Sequence, residues 1–263
     1  MPKIQIFIPA YNAARFIGQT IESALAQDVA DLEIVVLDNA SSDDTVTVVA
    51  RYADRGVRCV RNEVNIGAIG NHNRALDMAT AEFVKLLSAD DVLLPGTLAK
   101  QVAALDRHPD VGVVSCNCIV TDNELQPKGE TRYLPGHQDG AVAIAQCASK
   151  IANLLGAPSN TLLRRTAIQG ARFDAKRKWL GDLDFVCQVL TRSNFFNIDE
   201  PGFLYRRHDA TDSLLSCPLP IRLQDEFWFA SKYGGGMAPR ARILYRAGRA
   251  LAKSNPVLRH VVR

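Results

Sequence analysis

FVKLLSADDVLLP, residues 83–95, is the stretch on which the reading of the chain turns. The apolar run 83–87 is short enough to be a buried strand, and Pro95 suits the first turn of a following helix. Between them stand Ser88, Ala89, Asp90 and Asp91. Adjacent carboxylates at the end of a buried strand repel one another and resist desolvation. A hard divalent cation relieves both problems, because Mg2+ or Mn2+ is typically held by one or two carboxylates and completes its shell with substrate phosphates. The alternative is that Asp90 and Asp91 cap the helix near Pro95 or occupy a solvated turn.

Working outward, the sequence alternates strand and helix signals. Ile4, Ile6 and Ile8 lie in a β-rich run ended by Pro9, and Phe16, Ile17, Ile21 and Leu25 keep helical spacing up to Gln27. Residues 32–37 form a β-branched run closing on Asp38; Asp43 and Asp44 suit the start of a helix over 45–52. A third strand is predicted at 57–60, a helix at 69–78, a helix face at 98–105 and a fifth strand at 111–120. This alternation predicts an α/β fold with a mostly parallel sheet and helices on both faces. Ligands bind such sheets at the carboxyl ends of the strands. The loops 9–12, 38–42, 62–67 and 88–91 all lie there, so distant residues converge on one crevice.

The chain has 263 residues, 47% hydrophobic and 22% charged, enough for one large domain with or without a small appendage. A formal charge of +3 does not point to a nucleic-acid partner. Cys59, Cys116, Cys118, Cys147, Cys187 and Cys217 form no CxxC pair and no metal spacing, which suits reduced thiols of the cytoplasm. The start of the chain lacks a signal-peptide pattern and no apolar run is long enough to span a bilayer. No G-x-G-x-x-G follows the first strand, and no P-loop or glycine- and arginine-rich nucleotidyltransferase loop is found. The first loop offers instead Tyr11, a ring that can face a base, and Asn12, an amide donor and acceptor. The second offers Asp38, a pure acceptor for a pyrimidine imide N–H. Taken singly, Tyr11 serves equally well as packing and Asp38 as a turn or cap residue.

IPAYN at 8–12, EIVVLDNASSDDT at 33–45, NxGxxxxxNRA at 65–75 and SADD at 88–91, in that order, resemble the nucleotide-sugar domain of the family 2 inverting glycosyltransferases of GT-A fold. The resemblance extends over about residues 3–210. It implies transfer of a sugar from a nucleotide diphosphate donor to an acceptor, usually with Mg2+ or Mn2+. It places Pro9, Ala10, Tyr11 and Asn12 around the base and ribose, and Asp38 on the uracil or thymine edge. Asn65 and Gly67 shape the loop beneath the nucleoside, supported by Asn73 or Arg74. Ser88, Asp90 and Asp91 share contacts to ribose and metal. Ser88 stands where the family often has a third carboxylate, and Asp38-Asn39-Ala40-Ser41 where it often has D-D-G-S.

The second half is expected to carry acceptor and chemistry. Gly156, Ala157, Pro158 and Ser159 precede a short strand signal at 160–163 and resemble the floor of the family's acceptor site. Residues 179–185, WLGDLDF, resemble its E-D motif with Gly181 in place of Glu; there the Asp is the general base. A helix is predicted from Asp182, whose first turn favours a carboxylate, so Asp182 and Asp184 are both candidate caps. Asp182 is favoured as the base because a base faces the cleft rather than the helix body. Tyr205-Arg206-Arg207-His208, after a strand signal at 202–205, resembles Y-R-x-H, which gives His208 to the metal or diphosphate and an arginine, Arg207, to the phosphates. Residues 209–217 read as a loop over the site.

The sequence thus predicts a metal-dependent inverting transferase using a UDP- or dTDP-sugar and a saccharide or lipid-linked acceptor, in polysaccharide or glycoconjugate synthesis. The other class is a catalytically silent nucleotide-sugar-binding protein of the same fold. The expected division is a GT-A domain at 1–215, with a nucleotide-sugar half at 1–120 and an acceptor half at 121–215, then a helical basic extension at 216–263. No acidic residue follows Glu226, and 239–253 has the spacing of a basic amphipathic helix, suited either to an anionic bilayer surface or to packing on the domain. Gly234, Gly235 and Gly236 mark a hinge before it.

Overall fold

Four strands, β1 (Ile4–Ala10), β2 (Leu32–Asp38), β3 (Val57–Arg61) and β4 (Phe83–Leu86), run parallel in the order β3-β2-β1-β4. The coordinates are a computed structural model that describes residues 2–208, 217–234 and 243–244. β1, β2 and β4 are buried along most of their length, as apolar strands covered on both faces must be. Alternation assigns Ile4, Ile6 and Ile8 of β1 to the core under α1 (Ile17–Leu25), and Phe7 to the core that holds Ala75 and Leu76. Each such fully buried isoleucine contributes roughly 1.5–3 kcal/mol before ordering costs. The register sets Ala10 beside Asp38 and Asp38 beside Arg61, so the strand ends line one edge.

The crossovers are α1, α2 (Thr45–Ala50), α3 (Gly67–Met78) and α4 (Thr97–Arg107). α4 is preceded by Gly96 in left-handed conformation and has no side-chain cap, which removes the capping alternative for Asp90 and Asp91. β5 (Val92–Leu93) pairs with a strand more than a hundred residues later.

The second half departs from the expected parallel order. β6 (Val111–Thr121) and β10 (Asn194–Arg206) pair in parallel, but β9 (Leu162–Arg164) is wedged antiparallel between β4 and β6. β7 (Pro127–Thr131) and β8 (Gly136–Gln138) add antiparallel edges to β6 and β10. The sheet is therefore mixed, ordered β3-β2-β1-β4-β9-β6-β10-β5 with β7 and β8 off that path. β10 was legible only at 202–205 because its register shifts around Pro201, which has no N–H to give to a ladder.

Behind this half pack α5 (Gly140–Lys150), α6 (Arg165–Ile168), α7 (Gly181–Leu190) and α8 (Leu219–Tyr233). Phe229 of α8 lies in the same core as Leu183 and Phe185 of α7. Asp225 of α8 accepts from Arg177 Nη1 (3.1 Å) and the Trp179 amide (2.7 Å). The loop expected at 209–217 and the basic helix expected at 239–253 lie outside the described residues, apart from Cys217 and residues 243–244. No helix among the described residues is long and apolar enough to cross a membrane.

Candidate functional site

A groove of about 460 Å³ opens at the carboxyl ends of β1 and β4. Pro9, Tyr11, Asn12, Phe16, His72, Ser88, Asp90 and His208 line it. Its size is that of a small-molecule site. The ends of β1, β4 and β10 meet there; of the four loops expected to converge, 9–12 and 88–91 line the groove, whereas 38–42 and 62–67 do not. Tyr11 is 51% exposed, and a large aromatic ring held in the open at a strand end is free to stack on a ligand.

The two acids of the 88–91 segment have different surroundings. Asp90 faces the groove, with Oδ2 3.1 Å from His208 Nε2. The His208 ring packs on Phe16, over whose ring lie the guanidinium groups of Arg206 at 4.4 Å and Arg15 at 4.9 Å. Asp91 is buried: its Oδ1 accepts the Arg206 amide N–H (3.1 Å), and the Ser159 hydroxyl is a further partner. Burial pushes the Asp91 carboxyl up to about 8, and the charge of Asp90 adds to this. Asp91, expected as a second metal ligand, is thus turned away from the groove that Asp90 and His208 share. Arg206 locks this arrangement. Its Nε donates to the Asp90 carbonyl (2.8 Å), Nη2 to Gln19 Oε1 (2.5 Å) and Nη1 to the Asn123 carbonyl. Arg207, expected on the phosphates, is exposed and is not among the residues that line the groove.

Beside the groove, amides and turns set the backbone of the loops that follow β1, β2 and β3. Asn12 Oδ1 accepts the Ser42 N–H (2.9 Å) and the Asn12 N–H donates to Ser41 Oγ (3.0 Å), fastening the first loop to the second. Asp38 is fully buried; it accepts the Ser41 N–H and pairs with Arg61 Nε (3.2 Å). It lies behind the groove rather than on its wall. Asn65 Oδ1 accepts from Asn39 Nδ2 (2.8 Å) and from the Gly67 amide (2.8 Å), where Gly67 takes φ +77°. Asn73 does not support the nucleoside loop directly: its amide makes paired bonds with the backbone of Phe173 (both 2.9 Å). Arg74 is half-buried on α3. The α3 residue in the groove is His72, which the sequence reading missed. Its Nδ1 lies 2.8 Å from the Ala68 carbonyl, its ring packs on Phe173, and burial lowers its pKa. Phe16 was likewise read only as a helix residue; its groove role has no local signal.

The segment 153–160 ties the two halves together. Asn153 Oδ1 accepts the amides of Leu155 and Gly156 (both 3.0 Å), and Asn153 Nδ2 reaches Asp182 Oδ2 at 3.3 Å. Gly156 takes φ +104°, and a Cβ there would sit 2.1 Å from Asn160 Nδ2. Ser159 Oγ accepts the Ser88 amide (3.0 Å) and bonds Ser88 Oγ (3.0 Å). Asp182 stands in the first turn of α7, where Oδ1 accepts the Leu183 N–H (2.7 Å). Burial raises its carboxyl above the ordinary range. Asp184, two residues on, is fully engaged elsewhere, by Lys232 Nζ (2.8 Å), Tyr233 Oη (2.7 Å) and Gln188 Nε2 (2.8 Å). Tyr205 links the regions electrostatically: burial pushes its hydroxyl up to about 12, with Asp91, Asp90 and Asp182 all adding to the shift.

The donor set facing the groove, one carboxylate and one imidazole, fits a divalent ion such as Mn2+ when phosphate oxygens supply the rest.

The family model described as "Glycosyl transferase family 2" matches residues 5–172. The chain is 33% identical over 108 residues to an Escherichia coli protein named UDP-Glc:alpha-D-GlcNAc-diphosphoundecaprenol beta-1,3-glucosyltransferase WfaP, covering 41% of this chain and 43% of that protein. The chain spans about half the length of the curated relatives it matches, 63%, 49% and 43% for three of them. Among solved structures it superposes on S. aureus TarS 1-349 in complex with UDP-GlcNAc with TM-score 0.70 at 18% identity, covering 92% of this chain and 70% of that one. It superposes on the mannosyltransferase PcManGT from Pyrobaculum calidifontis, in complex with GDP-Man and Mn2+, with TM-score 0.60 at 20% identity, covering 99% and 83%. These likenesses establish the GT-A architecture.

Proposed function

The chain belongs to glycosyl transferase family 2, and we propose that it moves a sugar from a UDP- or dTDP-sugar to a hydroxyl of a saccharide or lipid-linked saccharide, inverting the anomeric carbon. The observation that carries this reading is the meeting of Asp90 and His208 at 3.1 Å on a groove walled by Tyr11 and Asn12. The names of relatives such as WfaP support a UDP-sugar donor and a diphosphoundecaprenol-linked acceptor.

In this reading the base stacks on Tyr11 and the ribose lies by Asn12 and Ser88. Asp90 and His208 would hold Mg2+ or Mn2+, with Asp91 beneath them fixing the Arg206 backbone. When bound, the ion neutralises charge on the diphosphate. Asp182 is the general base. Its raised pKa, caused by burial, brings it nearer to the working pH, which is where a carboxylate accepts a proton effectively. Asp184 is 1% exposed and turned inward onto three donors, so an acceptor hydroxyl does not reach it. Asp182 removes the proton as the acceptor oxygen attacks the anomeric carbon, and the nucleoside diphosphate departs.

Incubating the protein with a panel of nucleotide sugars and Mn2+, with and without lipid-linked saccharide, tests the proposal. Acceptor-stimulated release of UDP or dTDP is expected. Binding of the donor with no release under any acceptor would instead identify a silent binding protein.

A further inference from the structure

At the opposite end of the sheet from the groove, three potential metal ligands converge from separate elements. His108 follows the last turn of α4, Asp110 immediately precedes β6, and His137 is the middle residue of β8. One ligating atom from each lies within 4.8 Å of the other two. His137 Nε2 is 2.7 Å from Asp110 Oδ2, and the two imidazole centroids are 5.6 Å apart. Each side chain is aimed from outside the cluster. The His108 ring stacks on Phe196 (5.0 Å, 23° between planes), Asn194 Nδ2 donates to Asp110 Oδ2 (2.7 Å), and His137 is held by its pairing with Phe196 on β10. These outer partners resemble the supports that fix ligand orientation around bound metals.

We propose that His108, Asp110 and His137 form a second, structural metal site for a borderline divalent ion of the Zn2+ class, separate from the Mg2+ or Mn2+ site of the groove. The donor set decides the class: two imidazoles and one carboxylate suit zinc and its late first-row neighbours, whereas Mg2+ prefers oxygen. A tetrahedral centre with bonds near 2.0–2.1 Å sets its ligand atoms about 3.4 Å apart, and a solvent water can take the fourth position. His137 and Asp110 are 40% and 52% exposed at the side chain, so both can adjust by the ångström required without disturbing the core. Exposure also gives the ion a way in.

The consequence is local. β8 is three residues long and pairs only with β10 among the described strands. The segment leading into it carries Tyr133, whose hydroxyl lies 3.7 Å from Cys118 Sγ, and Leu134, whose amide donates to the Leu154 carbonyl (2.9 Å) beside Asn153. A metal joining β8 to the starts of β6 and β10 would pin this strap, and with it one wall of the acceptor side.

The test uses the full chain carrying Cys59→Ser, because Cys59 is an exposed thiol that can capture zinc by itself. After chelator treatment, Zn2+ is titrated calorimetrically in excess Mg2+, and Co2+ is used as a spectroscopic probe of four-coordination. The expected result is one equivalent of Zn2+, with a Tm that rises on saturation. His137→Gln and His108→Ala are expected to weaken binding by at least about tenfold. Asp90→Asn should bind Zn2+ like the parent. His137→Gln replaces an exposed side chain and reports even if His108→Ala, which loses the Phe196 stack, is poorly folded. Absence of Zn2+ binding in the parent would reduce the cluster to a His137–Asp110 ion pair and overturn the proposal. So would undiminished binding in His137→Gln, or loss of it in Asp90→Asn.

Discussion

Asp182→Asn and Asp184→Asn, two residues apart and chemically identical changes, are expected to fail in opposite ways. Asp184 receives three donors, Lys232 Nζ, Tyr233 Oη and Gln188 Nε2, at 2.7–2.8 Å, and is 1% exposed. An asparagine offers one acceptor oxygen, so its NH2 must face at least one of those donors. An unsatisfied buried group costs about 1–3 kcal/mol. Lys232 is 39% exposed and can return to water, so its lost charge pairing adds little. A total of about 2 kcal/mol lowers Tm by roughly 4–8 °C in a chain of this size. At Asp182 the side chain makes one short bond, to the Leu183 amide, which the amide oxygen retains, and one long bond to Asn153 at 3.3 Å. Removing a carboxylate whose charged form burial disfavours also offsets part of any loss. Stability is therefore expected to change by less than about 1 kcal/mol, while transfer falls ~100-fold or more, the scale of a lost general base. Urea unfolding and single-turnover release of the nucleoside diphosphate, run on both variants, give the two readouts. An Asp182→Asn enzyme of normal rate, or an Asp184→Asn enzyme of normal stability and no activity, would show that the base has been placed on the wrong carboxylate.

Asp90→Ala and His208→Ala should each abolish the Mn2+ enhancement of UDP binding; chelator that leaves the parent's donor binding and turnover unchanged would count against the metal. Asp38 is fully buried behind the groove on Ser41 and Arg61, so Asp38→Ala should lower stability in urea unfolding by about 1–3 kcal/mol and leave the ranking of UDP, dTDP, CDP and GDP as in the parent; a UDP preference lost only in Asp38→Ala would instead give it the base edge. Gly156→Ala combines φ +104° with a Cβ 2.1 Å from Asn160 Nδ2, and should lower stability by about 2–4 kcal/mol in urea unfolding. Because burial raises the Asp182 pKa and the base acts only when deprotonated, kcat/KM should fall as pH drops through a value above the ordinary 3.8; Asn153→Ala, which removes a bond favouring the charged form, should move that acid limb still higher.

The sequence made the positions of the chemistry legible, but left the direction of individual side chains open, and the reason is geometric. On extended backbone neighbouring side chains point to opposite faces, and on a helix residues two apart differ by about 200°. Arg206 and Arg207, and Asp182 and Asp184, are pairs of this kind, and Asp90 and Asp91 divide likewise in the turn after β4. In each pair one member is buried, Asp91, Arg206 and Asp184, and the other less so, with Asp90 on the groove wall. That much follows from the spacing. Which member does which depends on partners far away in sequence: Asp91 is held by Arg206, 115 residues on, and Asp184 by Lys232 and Tyr233, 48 and 49 residues on. The same distance effect governs the fold. β1, β2 and β4 were legible because strands buried on both faces are apolar throughout. β7, PKGET, is exposed at every position and carries no such mark, and β10 is broken by bulges beside Asp199, Glu200 and Pro201. Local pattern thus names the pair, and the long-range partner of the inward member assigns the outward one to the site. Ser159 and the Arg206 backbone therefore determine what Asp90 does as surely as its own carboxylate, since by holding Asp91 inward they leave Asp90 to the groove.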